Sequence, residues 1–183
     1  GTLRFETISN MAFLLYLKMN PDSEELNNAL RERLASNGFD IFMLCDCIRH
    51  VRERFRPEIR EQLMARVGNM STLDLVESIH AVFETNHRNN SQQLIDGLLE
   101  KLGRFPSDAF KSLNKSKLLT LCLSISRLKK NFPKNLCLFM RDYNYDKPPN
   151  NLWVCGMAFA LASQNIALPE VFKESFRDGK FVK

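Results

Sequence analysis

The sequence is poor in the residues from which reactive sites are usually built. Its three histidines are His50 and His80, on amphipathic stretches, and His87, in a polar turn. Each fits an ordinary packed or surface role. No Gly-x-x-x-x-Gly-Lys, Gly-x-Ser-x-Gly or His-Glu-x-x-His occurs, so the phosphate cradle, nucleophile elbow and zinc helix that carry those motifs are missing. The chain therefore reads as non-catalytic, with no cofactor. Its five cysteines are an odd number and include no Cys-x-x-Cys; Cys45 and Cys47 have no second pair to complete a ligand set, so no metal site is expected. Cysteines set inside apolar runs, without a disulfide framework, suit a reducing intracellular compartment. Seven glycines and seven prolines in 183 residues leave little room for long disordered linkers. No apolar run is long enough to cross a bilayer. The stretch Met11 to Leu17 is too short, and Asn20-Pro21-Asp22-Ser23 follows it where a signal peptide needs small residues.

Helical periodicity is what the sequence has in quantity. The organising device is Phe55-Arg56-Pro57-Glu58-Ile59, which returns as Ile166-Ala167-Leu168-Pro169-Glu170-Val171 and more loosely as Phe132-Pro133-Lys134-Asn135-Leu136. Proline suits a first helical turn, where its missing N–H has no partner, and a glutamate after it faces the positive end of the helix dipole. Each copy predicts a tight turn between two antiparallel helices. Apolar stripes flank these turns. Leu3, Phe5, Ile8, Met11, Ala12, Leu15 and Met19 mark a leading helix. Ser23 or Asp22 caps a helix from Glu24 to Ala35, and Gly38 is its expected left-handed stop. Asp40 caps the helix carrying Leu44 and Ile48; Ser71 or Thr72 opens the one carrying Leu75 and Ile79. A helix over 92–102 follows, then an irregular segment over 104–114 with a short helical turn. Leu118, Leu121, Cys122 and Ile125 line the next helix, and Asn150 or Asn151 opens one with Leu152, Cys155, Phe159, Ala162 and Ile166 facing inward. Trp153 belongs to the core.

These stripes recur. Ile48, Ile79, Ile125 and Phe159 fall in equivalent places at offsets of 31, 46 and 34 residues, the long one containing the 104–114 insertion. A two-helix unit of this period cannot bury its own face and must stack on a neighbour. The fold class is all-α, and the expected architecture is an α-solenoid of about five antiparallel helical hairpins. Residues 1–183 form one helical-repeat domain, with an irregular leading hairpin at 2–35 and repeats at 39–68, 71–103, 114–142 and 150–178.

The tetratricopeptide and ankyrin signatures are absent. The run Ser71-Thr72-Leu73-Asp74-Leu75-Val76-Glu77-Ser78-Ile79-His80-Ala81-Val82-Phe83, with Leu94 to Leu99 after it, and the run Lys117 to Leu128 share one leucine spacing. That spacing, over residues 37–178, resembles the degenerate heptatricopeptide or octotricopeptide repeats of FAST-kinase-like and RAP-domain proteins, although no RAP-type pattern follows it. The resemblance implies an organellar, mitochondrial RNA- or rRNA-associated protein, such as a mitochondrial ribosome component or an RNA-processing factor.

Charge supplies the physical clue to a partner. The net charge is +5, but the window between Asp108 and Asp142 holds eight basic residues and no acidic one, which leaves −3 for the rest. In that window lie Lys115, Lys117, Arg127, Lys129, Lys130, Lys134 and Arg141, and a second basic run includes Arg52 and Arg56. Such a patch suits a polyanion, whose counterions are released on binding. These nine residues are the candidate RNA contacts, and Tyr143 and Tyr145 beside them are candidate base-stacking rings. The alternative is a scaffold subunit of a larger complex, whose basic face meets an acidic protein surface and no RNA.

Overall fold

The computed structural model describes residues 12–20, 22–36, 38–51, 55–85, 91–146 and 148–177. Among them every regular element is helical and no strand occurs, as the periodicity predicts. The helices are α1 (12–19), α2 (Glu24–Ala35), α3 (Ile41–His50), α4 (Arg56–Arg66), α5 (Thr72–Thr85), α6 (Gln92–Gly103), α7 (Lys115–Arg127), α8 (Lys134–Asp142), α9 (Asn151–Ser163) and α10 (Glu170–Arg177). Short 3₁₀ segments run over Val67–Asn69 and Ser107–Ser112. The chain divides into two compact units, Gly1–Leu98 and Leu99–Lys183.

In the first unit the caps set the register. Ser23 Oγ accepts from the Leu26 N–H at 3.3 Å and starts α2. Asp40 Oδ1 accepts from the Met43 N–H at 2.8 Å and starts α3. Ser71 and Asp74 cap each other at the head of α5: Asp74 Oδ2 accepts from the Ser71 N–H at 2.9 Å, and Ser71 Oγ accepts from the Asp74 N–H at 3.2 Å. The caps at 40 and 71 lie 31 residues apart, the offset of the stripes, and Leu44, Leu75, Ile48 and Ile79 are all buried. Helices α3 and α5 run parallel side by side. Cys45 Sγ and Ser78 Oγ meet at 3.5 Å, and Arg49 Nε reaches Glu84 at 2.5 Å further along. Pro57 occupies the first turn of α4 as expected. Gly38 does not take left-handed backbone; α2 instead ends at Ser36, whose N–H donates to Glu32 O at 3.0 Å, and the Gly38 N–H ties back to Arg33 O at 3.0 Å.

The leading stripe is a second correction. Phe13, Leu14 and Leu17 are the buried residues of α1, whereas Ala12, Leu15 and Met19 are exposed. The apolar residues of α1 surround most of the helix, so periodicity alone could not fix which face turns inward. Leu3, Phe5, Ile8 and Met11 lie outside the described residues.

In the second unit two hairpins repeat at an offset of 36. Asn114 and Asn150 cap α7 and α9, accepting from the Lys117 and Trp153 N–H groups at 2.9 and 2.8 Å. Lys129 and Asn165 follow these helices in left-handed backbone, with φ of 57° and 55°. Each closes the same motif. Lys129 N–H donates to Ser126 O and Lys130 N–H to Ile125 O, as Asn165 donates to Ala162 O and Ile166 to Leu161 O, at 3.0–3.2 Å. Pro133 and Pro169 then stand at the entry to α8 and α10.

This register corrects the predicted alignment of α9 by two residues, about 200° around a helix. Ile125 corresponds to Leu161, Leu121 to Met157 and Leu118 to Val154, all buried. Leu152, Cys155, Phe159 and Ala162, expected to face inward, are exposed, and of that set Ile166 alone is buried. The physical reason is that α9 contains no charged residue and is apolar on every side, so it offers two stripes of equal appearance. Helices α7 and α9 run parallel, pinned at both ends: Trp153 Nε1 donates to Lys115 O at 2.9 Å, and Ser163 Oγ lies 2.9 Å from Ser126 Oγ. The insertion is the 3₁₀ segment, whose Phe110 packs on Phe139 of α8 with ring centroids 5.6 Å apart.

Two outcomes follow from this packing. Leu161→Ala and Met157→Ala should each cost about 2–5 kcal/mol by denaturant titration, while Phe159→Ala and Leu152→Ala stay within about 0.5 kcal/mol of the parent at low protein concentration; the predicted 34-residue alignment demands the reverse order. Burial pushes the Cys45 and Cys47 thiols up to about 11 and about 12, and raises Cys122 further. In native protein a maleimide should therefore label exposed Cys155 first, with those three reacting only on unfolding; early labelling of Cys122 contradicts the packing.

Candidate nucleic-acid interface

The turn from α7 to α8 gathers four of the predicted basic residues. Arg127 is the last residue of α7, Lys129 the left-handed residue, Lys130 its successor, and Lys134 the first residue of α8. Arg127, Lys129 and Lys134 are exposed and Lys130 half-buried. Lys115 and Lys117 sit in the first turn of α7, about 18 Å away along the helix. Arg141 lies midway: α8 runs back along α7, Cys122 Sγ meeting Met140 Sδ at 3.9 Å. Arg141 also borders an open cleft of about 750 Å³ between residues 143–146 and 165–171.

The backbone of this turn is held from two sides by side chains that periodicity does not reveal. Gln164, at the end of α9, donates from Nε2 to Lys130 O at 3.0 Å and accepts the Phe132 N–H on Oε1 at 2.7 Å. One amide thus satisfies both polar groups of a turn that no helix can satisfy. Asn135, in the first turn of α8, donates from Nδ2 to Leu102 O at 2.9 Å and Phe105 O at 2.6 Å. A polar side chain close to a proline, Asn135 just after Pro133 and Gln164 just before Pro169, is the only sequence signal either residue gives. Together they tie the backbone around the cations to α9 and to the end of α6.

Left-handed backbone costs a side chain with a Cβ roughly 1 kcal/mol, and asparagine tolerates it better than lysine. At the equivalent turn the chain places Asn165, the residue the geometry favours, and follows it with Ile166 and Glu170. The Glu170 carboxyl accepts from Lys173 at 2.8 Å, which holds its pKa below the usual value. Fold geometry thus asks for no cation at these positions, and the basic character belongs to the α7–α8 turn alone of the two.

Arg56 begins α4 in the first unit, half-buried, with its Nε enclosed and without a hydrogen bond. Arg52 lies outside the described residues. Tyr145 is not a stacking ring: it is buried, its hydroxyl donates to Met140 O at 2.8 Å, and it meets Trp153 and Phe172. Tyr143 is half-buried against Phe139 and Tyr145. Trp153 is buried as expected. Among the described residues no three His, Cys, Asp or Glu side chains come together as a metal set, and no helix is long and apolar enough to cross a membrane. No protein-family model matches the chain, and no curated protein or solved structure is significantly similar to it.

Proposed function

We propose that this is a non-catalytic α-solenoid of about five antiparallel hairpins that binds RNA or rRNA through phosphates at the α7–α8 turn. The observation that carries this reading is Lys129, a cation held in left-handed backbone where the equivalent hairpin has asparagine. A residue kept against local conformational preference is a mark of a functional position. Lys130 and Lys134 flank it, Arg127 precedes it, and the 33 residues from Ala109 to Arg141 contain no acid to offset them. Clamped backbone and clustered cations suit phosphate contact, which positions a nucleic acid without reading its bases. The organellar setting, as a mitochondrial ribosome component or RNA-processing factor, rests on the resemblance of the leucine spacing to heptatricopeptide and octotricopeptide repeats.

The test is an anisotropy titration with two unrelated single-stranded RNAs at several salt concentrations. Reversing Lys129, Lys130 and Lys134 to Glu should weaken both RNAs alike and flatten the log–log salt slope by about 2, with helix content unchanged by circular dichroism. A parent protein that binds neither RNA at low salt overturns the proposal. The scaffold reading, which the exposed apolar face of α9 favours, then takes its place.

A further inference from the structure

The head of α6 holds polar groups that the chain itself leaves unused. Ser91 precedes the helix, and its carbonyl accepts the Ile95 N–H at 2.9 Å, so it takes the capping place. A serine there ordinarily turns its hydroxyl onto the N–H groups of the next turn. Ser71, Asn114 and Asn150 each use a side-chain oxygen in this way. Ser91 does not: it is 3% exposed, and its Oγ makes no hydrogen bond. The N–H groups of Gln92, Gln93 and Leu94 have no acceptor within the helix either. The first turn carries no acid, and Asp96 in the second is engaged by Gln92 Nε2 at 2.7 Å. A buried hydroxyl without a partner calls for an occupant that supplies one.

Beside these groups is a pocket of about 140 Å³. Ser91, Gln93 and Leu94 border it on one side, and Arg60, Glu61 and Met64 of α4 on the other. One turn further the two helices close up: a Cβ at Gly97 would stand 3.2 Å from Met64 Sδ. Arg60 and Gln93 share the pocket at the same 33-residue offset at which Met64 meets Gly97. Helices α4 and α6 therefore run parallel here, with Arg60 level with the first turn of α6. A guanidinium thus stands at the positive end of a helix dipole, an arrangement that an anion between them relieves. Glu61 also borders the pocket, but it is exposed to solvent.

The donors set the chemistry of the occupant. Backbone N–H, hydroxyl and guanidinium together suit the several oxygens of a tetrahedral oxyanion better than the two of a carboxylate. The volume admits a phosphate group and not a nucleoside. We infer that the head of α6 and Arg60 form a binding site for a phosphate group, free or carried as a monoester. The site uses no residue of the α7–α8 turn and stands independently of RNA binding there.

Isothermal titration calorimetry of the full chain with inorganic phosphate, at constant ionic strength, tests it. The parent should bind one phosphate per chain saturably. Ser91→Ala and Arg60→Gln should each weaken binding about tenfold, while Lys129→Asn leaves it unchanged. Circular dichroism checks the fold of each variant; Ser91→Ala removes an atom that makes no hydrogen bond in the protein alone, so its helix content should match the parent. Methyl phosphate, titrated alongside, separates the two sources: tighter binding than inorganic phosphate supports the site as one for a monoester, weaker binding as one for the free ion. A parent that binds neither probe saturably overturns the inference. So does binding that Ser91→Ala and Arg60→Gln both keep, or that Lys129→Asn removes.

Discussion

The second unit depends on how the chain gets from the end of one helix to the start of the next without stranding backbone groups. At the end of α7 the last carbonyls are taken by Lys129 and Lys130 N–H, which requires the left-handed turn at Lys129. What remains, Lys130 O and the Phe132 N–H, is taken by the Gln164 amide from the following hairpin. A buried peptide group left without a partner costs about as much as several favourable contacts gain. The α7–α8 turn is thus completed only when α9 is in place. That coupling gives the α7–α9 pairing its fixed parallel register.

Much of the helical layout was legible in the sequence because it is written in local chemistry. Ser23, Asp40, Ser71 and Asn150 cap helices where a short oxygen-bearing side chain precedes an apolar stripe, and Pro57 stands in the first turn of its helix. Phase was legible only where one face is polar. Helices α3 and α5 have such a face, and the 31-residue offset between them was readable from Ile48 and Ile79. Helices α1 and α9 lack one, and there the inward stripe was assigned to the wrong side. At both, the stripe that pattern reading selected is apolar, regular and uncovered. Of the candidate site, the clustering of Arg127, Lys129, Lys130 and Lys134 could be read from their closeness in sequence. The clamps by Gln164 and Asn135 could not, since each acts across about thirty residues of chain.

Architecture and charge are separable in this protein. The hairpin of α9 and α10 builds the same turn as that of α7 and α8 with asparagine at the left-handed position and an acid at the helix start. The turn geometry therefore does not require the basic residues of the α7–α8 turn, which sit on backbone hydrogen-bonded to its neighbours. Rigid presentation of charge is what phosphate contact rewards, because no ordering of the protein is then needed on binding.

The most direct measurement is a single substitution, Lys129→Asn, which gives the α7–α8 turn the residue found at its counterpart. If the lysine is kept for RNA at a conformational cost, the variant should be more stable than the parent by about 0.5–1 kcal/mol in denaturant. It should also bind single-stranded RNA more weakly, with a shallower salt dependence. A variant that is stabilised and binds RNA as the parent does would contradict the account.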